Sequence, residues 1–401
     1  MRRIYMDANA TTPLLPEVFD AMRPFWTEHY ANASSIHQPG QFARAAVDHA
    51  RDQVARLLKC RASEVVFTSG GTESDNLALF GTVSSELLPT KERIHVITTD
   101  IEHHAILHAA EALEHRNIDV TFIAPNAHGM VEPDTLLKAI RPTTRLVSIM
   151  FANNETGVIQ PIKALAAIAH AAGALFHTDA VQAVGKIPLD LSPHGSLTDV
   201  DLLSISGHKM YAPKGIGILF VRRSVRLNPQ MLGGSHERQR RAGTENVTGI
   251  VALGKACELA SGWMEADGPT ELAALRNRLE QGILARVDEC GVNGIGAPRT
   301  ANTASIYFDH LEAEALVIAL DLKGLCVSGG SACSSGATTP SHVLTAMGLS
   351  PARARATIRF SLSRLTTQAE IDEALNLIPA AVAHLRDLSP TYRKPAALAT
   401  A

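Results

Sequence analysis

The sequence predicts an α/β protein: a large, mainly parallel sheet covered by helices, followed by a smaller α+β lobe. Three observations carry this. From Glu64 to Arg222, short apolar runs alternate with helix-patterned segments, as strand–helix–strand units require. Beyond Gly249 a stretch rich in Ala, Glu and Arg reads as helical to about Asp288, and residues 302–388 then mix strands with helices. A chain of 401 residues also exceeds one ordinary core, so two lobes are expected.

The expected strands of the large sheet are Glu64–Thr68, Ile94–Thr98, Val120–Ile123, Leu146–Met150, Leu175–His177, Leu202–Ile205 and Gly217–Val221. Segments such as Thr72–Gly81, His104–Glu114 and Ile162–Ala172 read as the helices between them. The last pair of strands, around Lys209, has the look of a hairpin and could run antiparallel. In the smaller lobe Thr303–Phe308 and Ala356–Ser361 read as strands. No internal repeat is present, and 389–401 reads as a frayed tail. In open α/β sheets, sites gather at the carboxyl ends of the strands, which directs the search for chemistry there.

Composition narrows the function. Apolar residues make up 46 % and charged ones 19 %, the balance of a soluble globular protein rather than a disordered one. A formal net charge of −3 gives no reason to expect direct nucleic-acid or membrane binding. The start, Met1 to Asp7, lacks a signal-peptide core, and the alanine-rich stretch 164–184 is broken by His170, Gly173, His177 and Asp179, so no membrane span is expected. Five scattered cysteines (60, 257, 290, 326 and 333) do not form a disulfide framework, which fits a reducing, cytoplasmic setting.

Several segments carry candidate chemistry. Ser69-Gly-Gly-Thr-Glu-Ser74 lies between a strand and a helix, where glycines and free amides suit a phosphate, although the same residues serve equally as a cap. Asp179 stands where a strand delivers a side chain into a crevice, or caps the segment after it. Ser204-Ile-Ser-Gly-His-Lys209 follows a strand, and a partly desolvated lysine there can bond to an aldehyde. Lys214 lies close by, and the local pattern does not choose between the two. His104 and His108 are spaced as two metal ligands on one helix face, but no third ligand accompanies them and no metal is expected. Cys333 lies in a small, polar Gly/Ser loop that suits a travelling thiol, whereas Cys326, between Leu325 and Val327, is expected to be buried and inert.

Taken together, these segments resemble the NifS/IscS-type cysteine desulfurases of the class V aminotransferase family, fold-type I enzymes that use pyridoxal 5'-phosphate (PLP). The resemblance runs from Tyr5-Met-Asp-Ala-Asn-Ala-Thr-Thr-Pro13 to Ile358-Arg-Phe-Ser-Leu-Ser363. Between them it rests on Ser69–Asn76, Glu102-His-His104, Asn153-Asn-Glu-Thr-Gly157, His177-Thr-Asp-Ala-Val-Gln182, Ser206-Gly-His-Lys209, Arg241-Ala-Gly-Thr244 and Gly330-Ser-Ala-Cys333, in the family's order. One departure is Asn32-Ala-Ser-Ser35, where the family usually has proline second.

The resemblance implies a large PLP-binding domain over 16–258, and a small domain from 1–15 and 259–388 with a connecting helix and the cysteine loop. It implies that Lys209 holds PLP covalently and moves a proton, that Asp179 pairs with the ring nitrogen, and that His103 stacks on the ring. Gln182 and Asn154 would bond around the phenolic oxygen; Gly71, Thr72, Ser206 and His208 would hold the phosphate, with Thr244 reaching in from the second subunit of a homodimer. Arg359, with Asn154, would bind the substrate, gripping its carboxylate with the planar guanidinium. The implied reaction turns L-cysteine into L-alanine and leaves a persulfide on Cys333 for a sulfur-acceptor protein, an iron–sulfur scaffold or a thiolation protein. A free thiol is only a few per cent ionised at neutral pH, so activation of Cys333, by a nearby histidine for instance, is expected. The rival readings are a selenocysteine lyase or aminotransferase, and a scaffold that keeps the fold without the chemistry. A nucleophilic cysteine in a mobile loop argues against an aminotransferase, and Lys209 with Asp179 argues against the scaffold.

Overall fold

The computed structural model describes residues 3–83, 93–330, 339–389 and 392. Thirteen strands occur among them: β1 (Ile4–Tyr5), β2 (Val65–Thr68), β3 (His95–Thr99), β4 (Asp119–Ile123), β5 (Thr144–Ser148), β6 (Leu175–Asp179), β7 (Leu202–Ser206), β8 (Gly217–Val221), β9 (Cys290–Val292), β10 (Thr303–Phe308), β11 (Leu325–Cys326), β12 (Ser328–Gly329) and β13 (Thr357–Ser361). Seven of them form one sheet in the order β2-β8-β7-β6-β5-β3-β4. Only β8 runs against its neighbours, β7 and β2, so the other six point the same way and present their carboxyl ends along one edge. The expected antiparallel pair around Lys209 is this β7–β8 pairing.

Helices cover both faces of the sheet, which is why its central strands are continuous apolar runs rather than alternating ones. Every residue of β2, β7 and β8 is buried. One face packs Val65, Phe67, Val147, Phe176, Leu203 and Ile218 with the helices Gln38–Leu58 and Val247–Glu265. The other packs Val66, Val96, Leu146, Leu202 and Leu219 with Gly71–Thr82 and His104–Glu114.

A second sheet, β12-β13-β10-β9, is antiparallel throughout. Its apolar face forms a separate core with Leu279, Ile283, Leu316, Ile371 and Ile378, and the N-terminal Ile4 and Met6 join it through the β1–β11 pair. The helical stretch expected from 249 to 288 is two helices, Val247–Glu265 and Gly268–Leu284. Asp267, in the left-handed conformation at φ 60°, separates them ahead of Gly268-Pro269, since proline suits the first turn of a helix but not its interior. Among the described residues, no helix is long and apolar enough to cross a membrane.

Candidate active site

Five strands of the large sheet deliver side chains to their shared carboxyl edge. β2 ends at Thr68 and leads through Gly70 into the helix Gly71–Thr82, whose start no side chain caps. Gly70 has φ +156° and ψ −177°, a conformation open in practice only to glycine. A Cβ on Gly71 would stand 3.0 Å from Val181 Cγ2 and 3.4 Å from Ser206 Cβ, so the glycine keeps this helix start close to the ends of β6 and β7. The amides of the first turn therefore face a crevice, with Ser206 beneath them and Thr72 exposed at the rim.

β7 runs through Ser206 into the short turn Gly207–Lys209, which turns Lys209 back over the edge. Its Nζ donates to the carbonyls of Asn9 and Ala10, each at 2.6 Å. Lys214, the alternative, is exposed to solvent. Thr12 holds the same turn from the N-terminal side: its N–H and hydroxyl both donate to the His208 carbonyl, at 2.9 and 3.0 Å. The His208 ring lies 3.1 Å from Thr11 Oγ1, and burial with the nearby Lys209 charge lowers its pKa to about 4.

Asp179 is the last residue of β6, which runs two residues past its expected end at His177, and it is buried. Burial pushes its carboxyl up, while the Val181 N–H at 2.8 Å and the Lys209 charge pull it back toward the ionised form. Asp75, fully enclosed in the helix Gly71–Thr82, is driven up by burial and by Asp179. Two such carboxyls cannot both hold a charge cheaply, so ionisation of Asp179 beside a cation leaves Asp75 protonated. His177 supports this floor, bonding Ser148 at 2.8 Å and Ser204 at 3.0 Å, and burial keeps it neutral with a pKa of about 3.

β3 leads to Glu102 and His103. His103 caps the helix His104–Glu114, its Nδ1 accepting from the Ala105 N–H at 3.1 Å, and burial beside Lys209 lowers its pKa to about 4. A neutral imidazole is therefore available here at neutral pH. Glu102 lies beneath, accepting from Thr99 Oγ1 and the Met150 N–H, both at 2.8 Å, and burial raises its pKa to about 8. The rings of His104 and His108 are 5.0 Å apart, with His342 5.0 Å from His104, but among the described residues no set of three or more His, Cys, Asp or Glu side chains is placed to hold a metal ion.

The segment after β5 and strand β13 complete the crevice. Arg359, nearly buried on β13, donates to the Asn154 carbonyl at 3.1 Å and to Asp7 Oδ1 at 2.8 Å, while its Nε has no partner. Gln182 donates through Nε2 to the Asn9 carbonyl at 3.1 Å, the carbonyl that Lys209 also reaches. Lys209, Asp179, His103, His208, Ser206, Gly71, Gln182, Asn154 and Arg359 thus gather about one edge. Thr244 does not join them: it is exposed and makes no hydrogen bond among the described residues, while its neighbour Arg241 pairs with Glu73 at 2.8 Å. Cys333 lies outside the described residues.

Cys326 corrects an expectation. It is half-buried, not enclosed, with Sγ 3.8 Å from both Arg3 Nη1 and Asp321 Oδ1. Alternation along an extended chain sends Leu325 and Val327 into the core and turns the residue between them outward.

Sequence reasoning also passed over Asn9. Its side chain bonds the Asn154 carbonyl, Thr303 and Asn302, and its backbone carbonyl takes Lys209 and Gln182. Its place in the Tyr5–Pro13 segment was the one available signal.

The crevice fits a phosphorylated aromatic aldehyde. The uncapped helix start at Gly71 suits a phosphate, a Cβ there would crowd the cradle, Lys209 supplies an amine, and Asp179 supplies a buried carboxylate for a ring cation. The unpartnered, buried Arg359 Nε leaves a donor for a substrate carboxylate.

Comparison with known proteins places the chain in a family. A family model described as aminotransferase class-V matches residues 4–374. A cysteine desulfurase of Trichormus azollae is 48 % identical over 390 residues, covering 97 % of this chain and 95 % of that one. The cysteine desulfurase IscS of Methanosarcina thermophila is 45 % identical over 393 residues, covering 98 % and 95 %. Among solved structures, a NifS-like protein superposes with a TM-score of 0.87 at 34 % identity, covering 96 % of this chain and all 100 % of the other. SspA, solved in complex with cysteine, superposes with a TM-score of 0.79 at 36 % identity, covering 90 % and 99 %.

Proposed function

Because this chain belongs to the class-V aminotransferase family and is a PLP-dependent cysteine desulfurase within it, we propose that Lys209 is the lysine that carries the cofactor and that Cys333 is the thiol that takes the sulfur. The enzyme converts L-cysteine to L-alanine and retains the sulfur as a persulfide. The observation that carries the residue assignment is Lys209 held over the carboxyl edge of the sheet, its charge close enough to act on both Asp179 and His103.

Each side chain then has a definite task. The amides of Gly71 and Thr72, with Ser206 and His208, hold the phosphate. Asp179 carries the negative charge that keeps the ring nitrogen protonated, and neutral His103 lies against the ring face. Gln182 and Asn154 surround the phenolic oxygen. When bound, PLP withdraws electrons from the substrate's α-carbon and so weakens the bond between its β-carbon and sulfur. Arg359 grips the carboxylate of cysteine, and Lys209 takes the α-proton and would return it to the cofactor rather than to the substrate. The Cys333 thiolate attacks the substrate sulfur: a sulfur–sulfur bond forms, the carbon–sulfur bond breaks with its electron pair left on carbon, and protonation of that carbon gives alanine.

The division into 16–258, and 1–15 with 259–388, is part of the same reading and is supported by the separate apolar cores. Thr244 would complete the phosphate site of a second copy in a homodimer; its exposure, and its making no hydrogen bond among the described residues, support this. Light scattering that finds an active monomer would overturn it. The persulfide would pass to an iron–sulfur scaffold or thiolation protein in the cytoplasm.

The lysine assignment is tested by reducing the cofactor-loaded protein with borohydride and mapping the modified peptide by mass spectrometry. Modification of Lys209 is expected; modification of Lys214 would refute it.

A further inference from the structure

Lys186 lies four residues beyond Gln182, in the turn that follows β6. Its Nζ is 3.1 Å from the Gln182 carbonyl and 3.1 Å from Gln182 Oε1. An ammonium group only donates, so the end of the Gln182 amide that faces Lys186 must be the oxygen. The opposite end, Nε2, is thereby turned toward the Asn9 carbonyl, 3.1 Å away, where Lys209 also ends. The two ends of a carboxamide have nearly the same shape, and packing alone does not choose between them. The cation does.

We propose that Lys186 is a positioning residue: in its protonated form it locks the Gln182 amide so that the pocket at Lys209 receives a hydrogen-bond donor, the partner required by an anionic ring oxygen. Lys186 is held for this task in a narrow space between the two cores, beside Val184, Met210, Tyr211, Trp263 and Leu272. Burial, with the positive charges of Lys209 and Arg359, lowers its pKa to about 7, so the donor-only ammonium is the form present below that pH.

The proposal rests on the reading that Gln182 faces the PLP phenolic oxygen, and its test separates the two. Lys186→Met, Lys186→Arg and Gln182→Leu are each reconstituted with PLP, and the bound cofactor's absorption band is titrated with pH. A donor and a nearby cation both favour the deprotonated chromophore. Gln182→Leu and Lys186→Met are therefore expected to raise the midpoint, each by about one pH unit, and to weaken PLP binding, whereas Lys186→Arg stays close to wild type. A purely structural loss would lower melting temperature without moving the midpoint. If Lys186→Met does not fold, as judged by circular dichroism, Lys186→Gln removes the charge in its place. A wild-type midpoint in the uncharged variant, with a shifted one in Gln182→Leu, overturns the role of Lys186 alone. A wild-type midpoint in Gln182→Leu overturns the placement of Gln182, and the proposal with it.

Discussion

Arg359 and Asp7 form an ion pair, with 2.8 Å between Nη2 and Oδ1, that joins a strand of the smaller sheet to the N-terminal segment. The pair fixes a guanidinium whose side chain is only 3 % exposed, and the Asn154 carbonyl holds it from a second side. Its Nε remains without a partner. A donor buried without a partner costs free energy, and on the proposed reading the substrate carboxylate supplies that partner.

Arg359→Lys is accordingly expected to raise the KM for cysteine by about ten- to a hundredfold, because a charge-assisted hydrogen bond is worth about 1.5–3 kcal/mol and an ammonium cannot reproduce the planar fork. PLP should remain bound, which its visible absorption reports. An unchanged KM would remove Arg359 from the substrate site.

Gly71→Ala should leave the chain folded but weaken PLP binding by roughly tenfold or more, since the added methyl group meets Val181 at 3.0 Å and crowds the helix start. Titration of the apoprotein with PLP, followed by fluorescence, measures this. Wild-type affinity would show that the phosphate does not sit against Gly71.

Glu102 makes a pH-dependent contribution whose sign follows from its pKa. Burial raises the folded-state value to about 8 against an ordinary 4.5, so the folded protein holds this proton more tightly than the unfolded chain does. Its contribution to stability is therefore fully present below about pH 4.5 and lost as pH rises through about 8. Glu102→Gln keeps an acceptor for Thr99 and Met150 and has no charge to bury. Relative to wild type it should gain little at pH 5 and on the order of a few kcal/mol at pH 8.5, read as a melting-temperature difference that widens with pH. A difference constant with pH would contradict the assignment.

How much of this was legible in the sequence depended on distance along the chain. The central strands could be read because burial on both faces makes them continuous apolar runs, and Gly217–Val221 and Thr303–Phe308 begin and end where expected. Gly71, Asp179, Ser206 and Lys209 were legible because each stands at or just beyond the end of such a run. The contacts that complete the site were not. Asn9 and Lys209 are 200 residues apart, and Asp7 and Arg359 are 352 apart, so no local pattern announces either pairing. Lys186 was passed over because a single lysine in a turn has no signature until its neighbour's amide is seen. Cys326 was misread because flanking apolar residues suggest burial, whereas in a strand they argue that the residue between them faces the other way.

The central claim is that Cys333 is the nucleophile that receives sulfur, and the most direct test is single-turnover alanine formation by Cys333→Ala, with Cys326→Ala as the comparison. Each variant is loaded with PLP and mixed with cysteine; alanine is quantified, and the peptide that contains position 333 is weighed for an added sulfur. Cys333→Ala should bind PLP and cysteine, form almost no alanine and carry no added sulfur on that peptide. Cys326→Ala, which loses only a half-buried thiol on the outer side of β11, should turn over almost as wild type, with a stability loss of at most about 1 kcal/mol. Alanine formed by Cys333→Ala at the wild-type rate would contradict the account and indicate sulfur release without an enzyme thiol at that position.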